Sequence, residues 1–126
     1  MKYLKSFENT VEDDSPQIGD YIVTNVNYND NKDQINFTNF IKNNIGQVIN
    51  IDYNYNKICN LKPPYYIVKY KNIPNNIKSW FGADVVSVIN TNYNTDARTF
   101  NKSEFQYWSP NKKDCEIFLT ANKYNL

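Results

Sequence analysis

Short runs of β-branched and aromatic residues, separated by asparagine-rich links, recur through most of this chain. The clearest runs are residues 18–26 (IGDYIVTNV), 46–53 (GQVINIDY) and 65–70 (YYIVKY). Each run has the length of a single strand, and the Asn, Asp and Gly residues between them favour turns. The pattern predicts a small, curved antiparallel sheet around one shared core.

The length and composition predict one folded domain. The chain has 126 residues, of which 40% are hydrophobic and 16% aromatic, which is enough for one core. Residues 1–16 contain an acidic run and only a short amphipathic unit, so we expect a loosely held N-terminal arm. Residues 17–126 then form the single domain.

Side-chain alternation predicts which strand residues face the core. In residues 46–53, Ile49 and Ile51 alternate onto one face and Val48 onto the other. Gly46 opens this strand, and we expect it to allow either a backbone conformation or a close approach that a Cβ would obstruct. In residues 65–70, Tyr66 and its alternate neighbours are predicted to share a face.

Two further strands complete the predicted sheet of about five strands. They are expected at residues 85–89 and 105–108, with the polar segment 90–99 as a connection. Pro74 marks a loop between the third and fourth predicted strands.

Two helices are predicted, one near residues 34–44 and one near 110–123. Asp33 is the predicted N-cap of the first helix, and Ser109, followed by Pro110, that of the second. Helical spacing predicts the following core-facing residues: Phe37, Phe40 and Ile41 in the first helix, and Cys115, Phe118 and Leu119 in the second.

The charge and residue content disfavour enzymatic chemistry. The chain has no histidine, which removes the commonest general base and most mixed zinc sites. The acids that remain are spread along the chain, so a two-carboxylate site requires that folding gather them. We therefore expect no enzymatic activity, no catalytic residue, no metal and no cofactor. The acids concerned are Asp20, Asp52, Asp84 and Glu104.

Cysteine content and hydropathy predict a cytoplasmic protein without membrane contact. Cys59 and Cys115 are too few for a disulfide framework and lack metal-ligand spacing. No apolar segment is long enough to span a bilayer, and the N-terminus does not resemble a signal peptide.

Aromatic and basic residues provide two alternative binding predictions. Trp80, Phe81 and Tyr93 would contact a protein partner if they are exposed, although adjacent aromatic residues in a small β domain are more often packed inside. The alternative is a nucleic-acid surface formed with the same aromatic residues, despite a net charge of only +1. Its predicted basic contacts are Lys69, Lys71 and Lys78.

The order of IGDYIVT, NIGQVINI, YYIVKY and FQYWS resembles an SH3-like small barrel. NIGQVINI is similar to half of the KOW motif at Gly46, Val48 and Ile51, although a helix-bearing insertion separates it from Gly19-Asp20. The whole pattern also resembles small uncharacterised proteins of tailed bacteriophages. These resemblances imply a viral binding or adaptor module in the host cytoplasm or the virion. Its expected fold is a mainly β, SH3-like curved sheet or small barrel that recognises a protein through its loops and aromatic edge.

Overall fold

The computed structural model describes residues 15–53, 63–81 and 96–124. Within these residues, a five-stranded antiparallel sheet is accompanied by helices, which confirms the predicted mainly β, α+β class. In chain order the elements are β1 (Tyr21–Thr24), α1 (Lys32–Lys42), β2 (Gly46–Asp52), β3 (Tyr65–Lys69), a 3-10 helix (Asn75–Trp80), β4 (Ala97–Asn101), a short 3-10 turn (Lys102–Glu104), β5 (Phe105–Ser109) and α2 (Lys112–Tyr124).

The strand order in the sheet is β4-β3-β2-β1-β5. Strands β2, β3 and β4 form an antiparallel meander, and β1 lies between β2 and β5. Because β4 and β5 occupy opposite edges and no pairing joins them among the described residues, the sheet is open and is not closed into a barrel.

A β-bulge in β2 changes which of its side chains enter the main core. Val48 and Asn50 are opposite consecutive residues of β3, so Ile49 is the additional residue. One additional residue reverses the alternation of faces. Val48 and Ile51 therefore both pack in the main core, while Ile49 packs against Ile67 in a separate cluster. The prediction that Ile49 and Ile51 share a face is wrong for this reason.

The main core lies between one face of the sheet, α1 and the 3-10 helix Asn75–Trp80. Tyr66, with its alternate neighbours in and after β3, enters this core, as the sequence predicts. From α1, Phe37 and Ile41 are fully buried and Phe40 packs at the margin, which confirms the predicted helical face. Each fully buried side chain of this size contributes about 1.5–3 kcal/mol.

Helix α2 covers β1 and β5 on the other face of the sheet. Cys115 is fully buried, and its Sγ donates to the carbonyl oxygen of Tyr21 over 3.4 Å. The rings of Tyr107 and Phe118 stack with centroids 4.6 Å apart. The prediction that Cys115 faces inward is confirmed, while Cys59 lies outside the described residues.

Helix α1 begins earlier than the sequence predicts. The side chain of Asn31 accepts a hydrogen bond from the backbone N–H of Gln34 over 2.9 Å, so Asn31 is the N-cap. The predicted cap, Asp33, instead lies in the first turn, where its negative charge interacts favourably with the helix dipole.

Helix α2 begins two residues after the predicted start, at Lys112. Ser109 Oγ accepts from the N–H of Asn111 over 3.0 Å and donates to Asp114 over 2.8 Å. The Asn111 side chain in turn accepts from the N–H of Lys113. Ser109 therefore stabilises the turn that enters the helix.

Strand β4 replaces part of the predicted polar connection. Residues 97–101 read ARTFN, and only Ala97 and Phe100 are buried. Antiparallel pairing with all of β3, from Tyr65↔Asn101 to Lys69↔Ala97, determines this strand. The predicted strand at 85–89 and residues 1–14 of the predicted arm lie outside the described residues.

Gly46 and Gly19 are required for different reasons. A Cβ on Gly46 would contact Val68 Cγ1 and would lie 2.7 Å from Tyr70 Cζ, which confirms the predicted close approach. Gly19 has a φ of +98° in the turn that closes through the Asp20 N–H and the Gln17 carbonyl oxygen. This φ suits the third position of a type II turn.

Candidate functional site

Two adjoining cavities, lined mainly by lysine and amide side chains, form a groove between α2 and the ends of α1, β2 and β3. The first cavity has a volume of about 290 Å³ and the second about 300 Å³. Both are lined by Asn43 and Leu119, so they are neighbours. We call them together the basic groove. The first is lined by Tyr21, Asn43, Asn44, Ile45, Gln47, Lys69, Lys71, Asn72, Lys112 and Leu119, and the second by Thr24, Asn39, Lys42, Asn43, Gln106, Leu119, Asn122 and Lys123.

Five lysines and no carboxylates line the basic groove, as far as the described residues show. The whole chain has 14 basic and 13 acidic residues, so this is a local concentration of positive charge in a nearly neutral protein. Ammonium groups facing a concave wall attract anions, since the wall concentrates the field. The lysines are Lys42, Lys69, Lys71, Lys112 and Lys123.

The fold brings these lysines together from three elements, β3, α1 and α2, and from the turn after β3. Lys69 ends β3 and is paired with Gln47 of β2. Lys71 follows in a turn in which Asn72 has a φ of 58°. Lys112 is the first residue of α2. Lys42 is the last residue of α1, and its Nζ donates to Asn27 Oδ1 over 3.0 Å.

Backbone contacts fix the orientation of three amides in the groove. The side-chain N–H groups of Asn43 and Asn44 donate to the carbonyl oxygens of Asn39 and Phe40, each over 2.8 Å. Gln47 donates to the Gly19 carbonyl oxygen over 3.1 Å. Each amide keeps a second N–H beside its oxygen, so these side chains can offer a ligand both hydrogen-bond donors and acceptors.

The lining of the groove is suited to binding an anion. Its lysines supply charge-assisted donors for an anion, and its amides supply acceptors. None of the described residues that line it is a cysteine or a carboxylate, and the chain has no histidine.

The structure places Phe81 in the main core and Trp80 at its margin. Phe81 is only 4% exposed. Trp80 is half-buried, and its ring stacks on Phe37 with centroids 5.2 Å apart. A partner could touch Phe81 only if the ring left the core. Tyr93, the third residue of the predicted partner surface, lies outside the described residues.

Two of the three lysines predicted as nucleic-acid contacts line the basic groove. Lys69 and Lys71 are in the first cavity, whereas Lys78 lies on the 3-10 helix and lines neither cavity. Sequence analysis missed Lys112 and Tyr21, which lie beside them. The only sequence signal for either residue was its position in a predicted element, because their proximity to Lys71 arises from the packing of α2 against β1.

A second polar cluster joins β4, the β1–α1 connection and the 3-10 turn before β5. The hydroxyl of Tyr28 donates to Glu104 Oε2 over 3.1 Å, and Glu104 Oε1 accepts from the Asn101 N–H over 2.9 Å. Burial, and then the negative charge of Glu104, raise the pKa of Tyr28. The guanidinium of Arg98 lies 4.7 Å from the centroid of the Phe37 ring and donates to the Trp80 carbonyl oxygen. These contacts join elements of the fold.

The scattered acids do not assemble into a metal centre in the described part of the chain. No group of three or more Cys, Asp or Glu side chains is close enough to hold an ion there. Asp20 accepts from the Gln17 N–H, Glu104 binds Tyr28, and Asp52 belongs to β2. Asp84 lies outside the described residues.

No protein-family model, curated protein or solved structure matches this chain. Within the described residues, neither helix has the length and apolar character needed to cross a membrane.

Proposed function

We propose that this protein binds nucleic acid, with the phosphate backbone lying in the basic groove. The observation that carries the proposal is the set of five lysines lining two adjoining cavities without a carboxylate among the described lining residues. Phosphates repeat along a nucleic acid strand, and lysines that neutralise them release condensed counterions. A groove with several lysines along its length matches such a repeating anion better than it matches a single small anion.

Binding to an acidic protein segment is the competing use of the same surface. A protein partner was the first expectation from the sequence, but Phe81 of the expected aromatic edge is buried and Trp80 is packed against Phe37. The groove's lysines would also attract glutamate or aspartate side chains. This alternative is therefore an outcome of the test and is not a second proposal.

Charge reversal in the groove tests the proposal. Fluorescence anisotropy with labelled oligonucleotides at low salt should show binding by the wild-type protein. Lys71→Glu combined with Lys112→Glu should weaken that binding strongly, since both exposed lysines line the first cavity. The matched control is Lys32→Glu combined with Lys78→Glu, which reverses the charge of two exposed lysines that line neither cavity and should leave the affinity close to wild type.

Two results would contradict the proposal. One is equal weakening by the groove variant and by the matched control, which have the same net charge, because the binding would then follow net charge alone. The other is the absence of oligonucleotide binding together with tight binding of a poly-glutamate peptide, which would assign the groove to an acidic protein partner.

An SH3-like relationship and a viral origin also remain proposals. The meander β2-β3-β4, with β1 between β2 and β5, supports the relationship to SH3-like domains. The lysine-lined groove supports the binding role predicted for such a module. An experimental structure in which the sheet lacks this strand order would contradict the relationship.

A further inference from the structure

Tyr21 is the aromatic residue of the basic groove. It lies in β1, opposite Gln47 of β2, and it lines the first cavity together with Lys69, Lys71 and Lys112. Its side chain is partly exposed. An aromatic ring within a positively charged groove is the combination that binds single-stranded nucleic acids, because the ring stacks on a base while the cations follow the backbone.

We propose that the groove selects single-stranded over double-stranded nucleic acid, with one base stacked on Tyr21 and the neighbouring phosphates on the lysines. This inference rests on the proposed function. A duplex keeps its bases stacked on one another, so it can offer phosphates to the groove but no free base face to Tyr21.

The size of the cavities agrees with a single strand. Each has a volume near the lower end of the range of about 300–1,000 Å³ that is usual for small-ligand sites. Each cavity therefore accommodates a group of about nucleotide size. The two cavities adjoin at Asn43 and Leu119, so consecutive nucleotides of one strand can occupy them.

The fixed amides supply the contacts that a base requires. Asn43, Asn44 and Gln47 each donate one N–H to a backbone carbonyl oxygen, which orients the amide, and their own oxygens can accept hydrogen bonds from a base in the first cavity. Bases of an unpaired strand expose amino and imino donors on their Watson–Crick edges, whereas in a duplex these donors are engaged in pairing. The groove thus complements both the charge and the hydrogen-bond donors of an unpaired nucleotide.

The experiment compares a labelled mixed-sequence single strand with the duplex of the same sequence by fluorescence anisotropy. The wild-type protein should bind the single strand about tenfold more tightly, which is the size of effect expected from stacking one base. Tyr21→Leu should remove most of this difference and leave duplex binding unchanged. Tyr21→Phe, which keeps the ring, should retain the single-strand affinity. Tyr53→Leu is the matched control, because Tyr53 is 70% exposed and lines neither cavity.

The inference is overturned if duplex and single strand bind equally, or if Tyr21→Leu binds the single strand as tightly as wild type. In either case the Lys71 and Lys112 variants can still support the proposed function, so the two failures are distinguishable. Thermal unfolding of each variant shows whether the fold is intact. If Tyr21→Leu is unfolded, folded Tyr21→Ile is measured in its place: a retained preference for the single strand overturns the inference, and loss of that preference supports it.

Discussion

The contact between Gly46 and β3 makes this position intolerant of any side chain. The added methyl of Gly46→Ala would overlap Val68 and lie 2.7 Å from Tyr70 Cζ, and both neighbours are fully buried. Overpacking of this kind typically costs about 1–3 kcal/mol, and we expect the upper part of that range because the neighbours have no free space. Urea unfolding followed by circular dichroism measures the loss.

Gly19→Ala is the control for the Gly46 prediction. Nothing lies within 4 Å of a Cβ at Gly19, so its cost arises only from the φ of +98°. That conformational penalty is about 1 kcal/mol. A larger loss of stability for Gly19→Ala than for Gly46→Ala would contradict the close approach described above.

Buried tyrosines make the stability of the fold sensitive to alkaline pH. Burial raises the pKa of Tyr70, and burial also raises the pKa values of Tyr28 and Tyr107, with further contributions from Glu104 and Asp114. An unfolded tyrosine ionises near pH 10, so above that pH the unfolded chain binds fewer protons than the folded one. The stabilisation of the folded state by these protonated tyrosines is therefore complete below about pH 10 and is lost as the pH rises further.

Replacing Tyr70 with phenylalanine tests this pH dependence. Tyr70→Phe should lose less stability than wild type between about pH 9 and pH 11, because one ionisable group of the unfolded chain is removed. Urea unfolding at several pH values measures the slope for each protein. If the free energy of unfolding falls with pH equally in the two proteins, Tyr70 does not contribute to the loss of stability at alkaline pH.

At the scale of elements, the start of α1 depends on one asparagine. The Asn31 side chain satisfies the Gln34 N–H at the helix N-terminus, and loss of such a cap costs about 1 kcal/mol. Asn31→Ala should therefore destabilise the protein by about that amount in urea unfolding. Asp33→Ala removes only a favourable charge from the first turn and should cost about 0.3–1 kcal/mol. A larger loss of stability for Asp33→Ala than for Asn31→Ala would indicate that Asp33 is the N-cap.

At the scale of the whole molecule, the near-neutral net charge requires that the proposed nucleic-acid binding depend on the local set of lysines. Each lysine removed from the groove should reduce the slope of log K against log salt by about 0.7 for a single strand. Lys42→Gln and Lys123→Gln, both in the second cavity, should each show this reduction. Lys78→Gln should leave the slope unchanged. Equal reductions for all three would assign the salt dependence to net charge.

Much of the secondary structure could be predicted from local sequence. Helical spacing identified Phe37 and Ile41 as core residues, and β3 followed from its alternation. These predictions succeed because side-chain periodicity within one element depends on backbone geometry alone. Strand β4 was missed because ARTFN has only two buried residues and forms its hydrogen bonds with β3. The bulge in β2 likewise depends on register with a neighbouring strand.

The sequence by itself determined the two helices, the strands β1, β2, β3 and β5, the need for a glycine at position 46 and the nearly balanced charge. Only the tertiary structure decided which face Ile49 takes, that the sheet stays open, and that Phe81 is buried. It also decided that Lys112 lies beside Lys69 and Lys71, 41 residues or more away in sequence. The physical reason is that a groove is formed by the packing of elements that are distant in sequence. A net charge near zero does not indicate which charged residues lie close together in the fold.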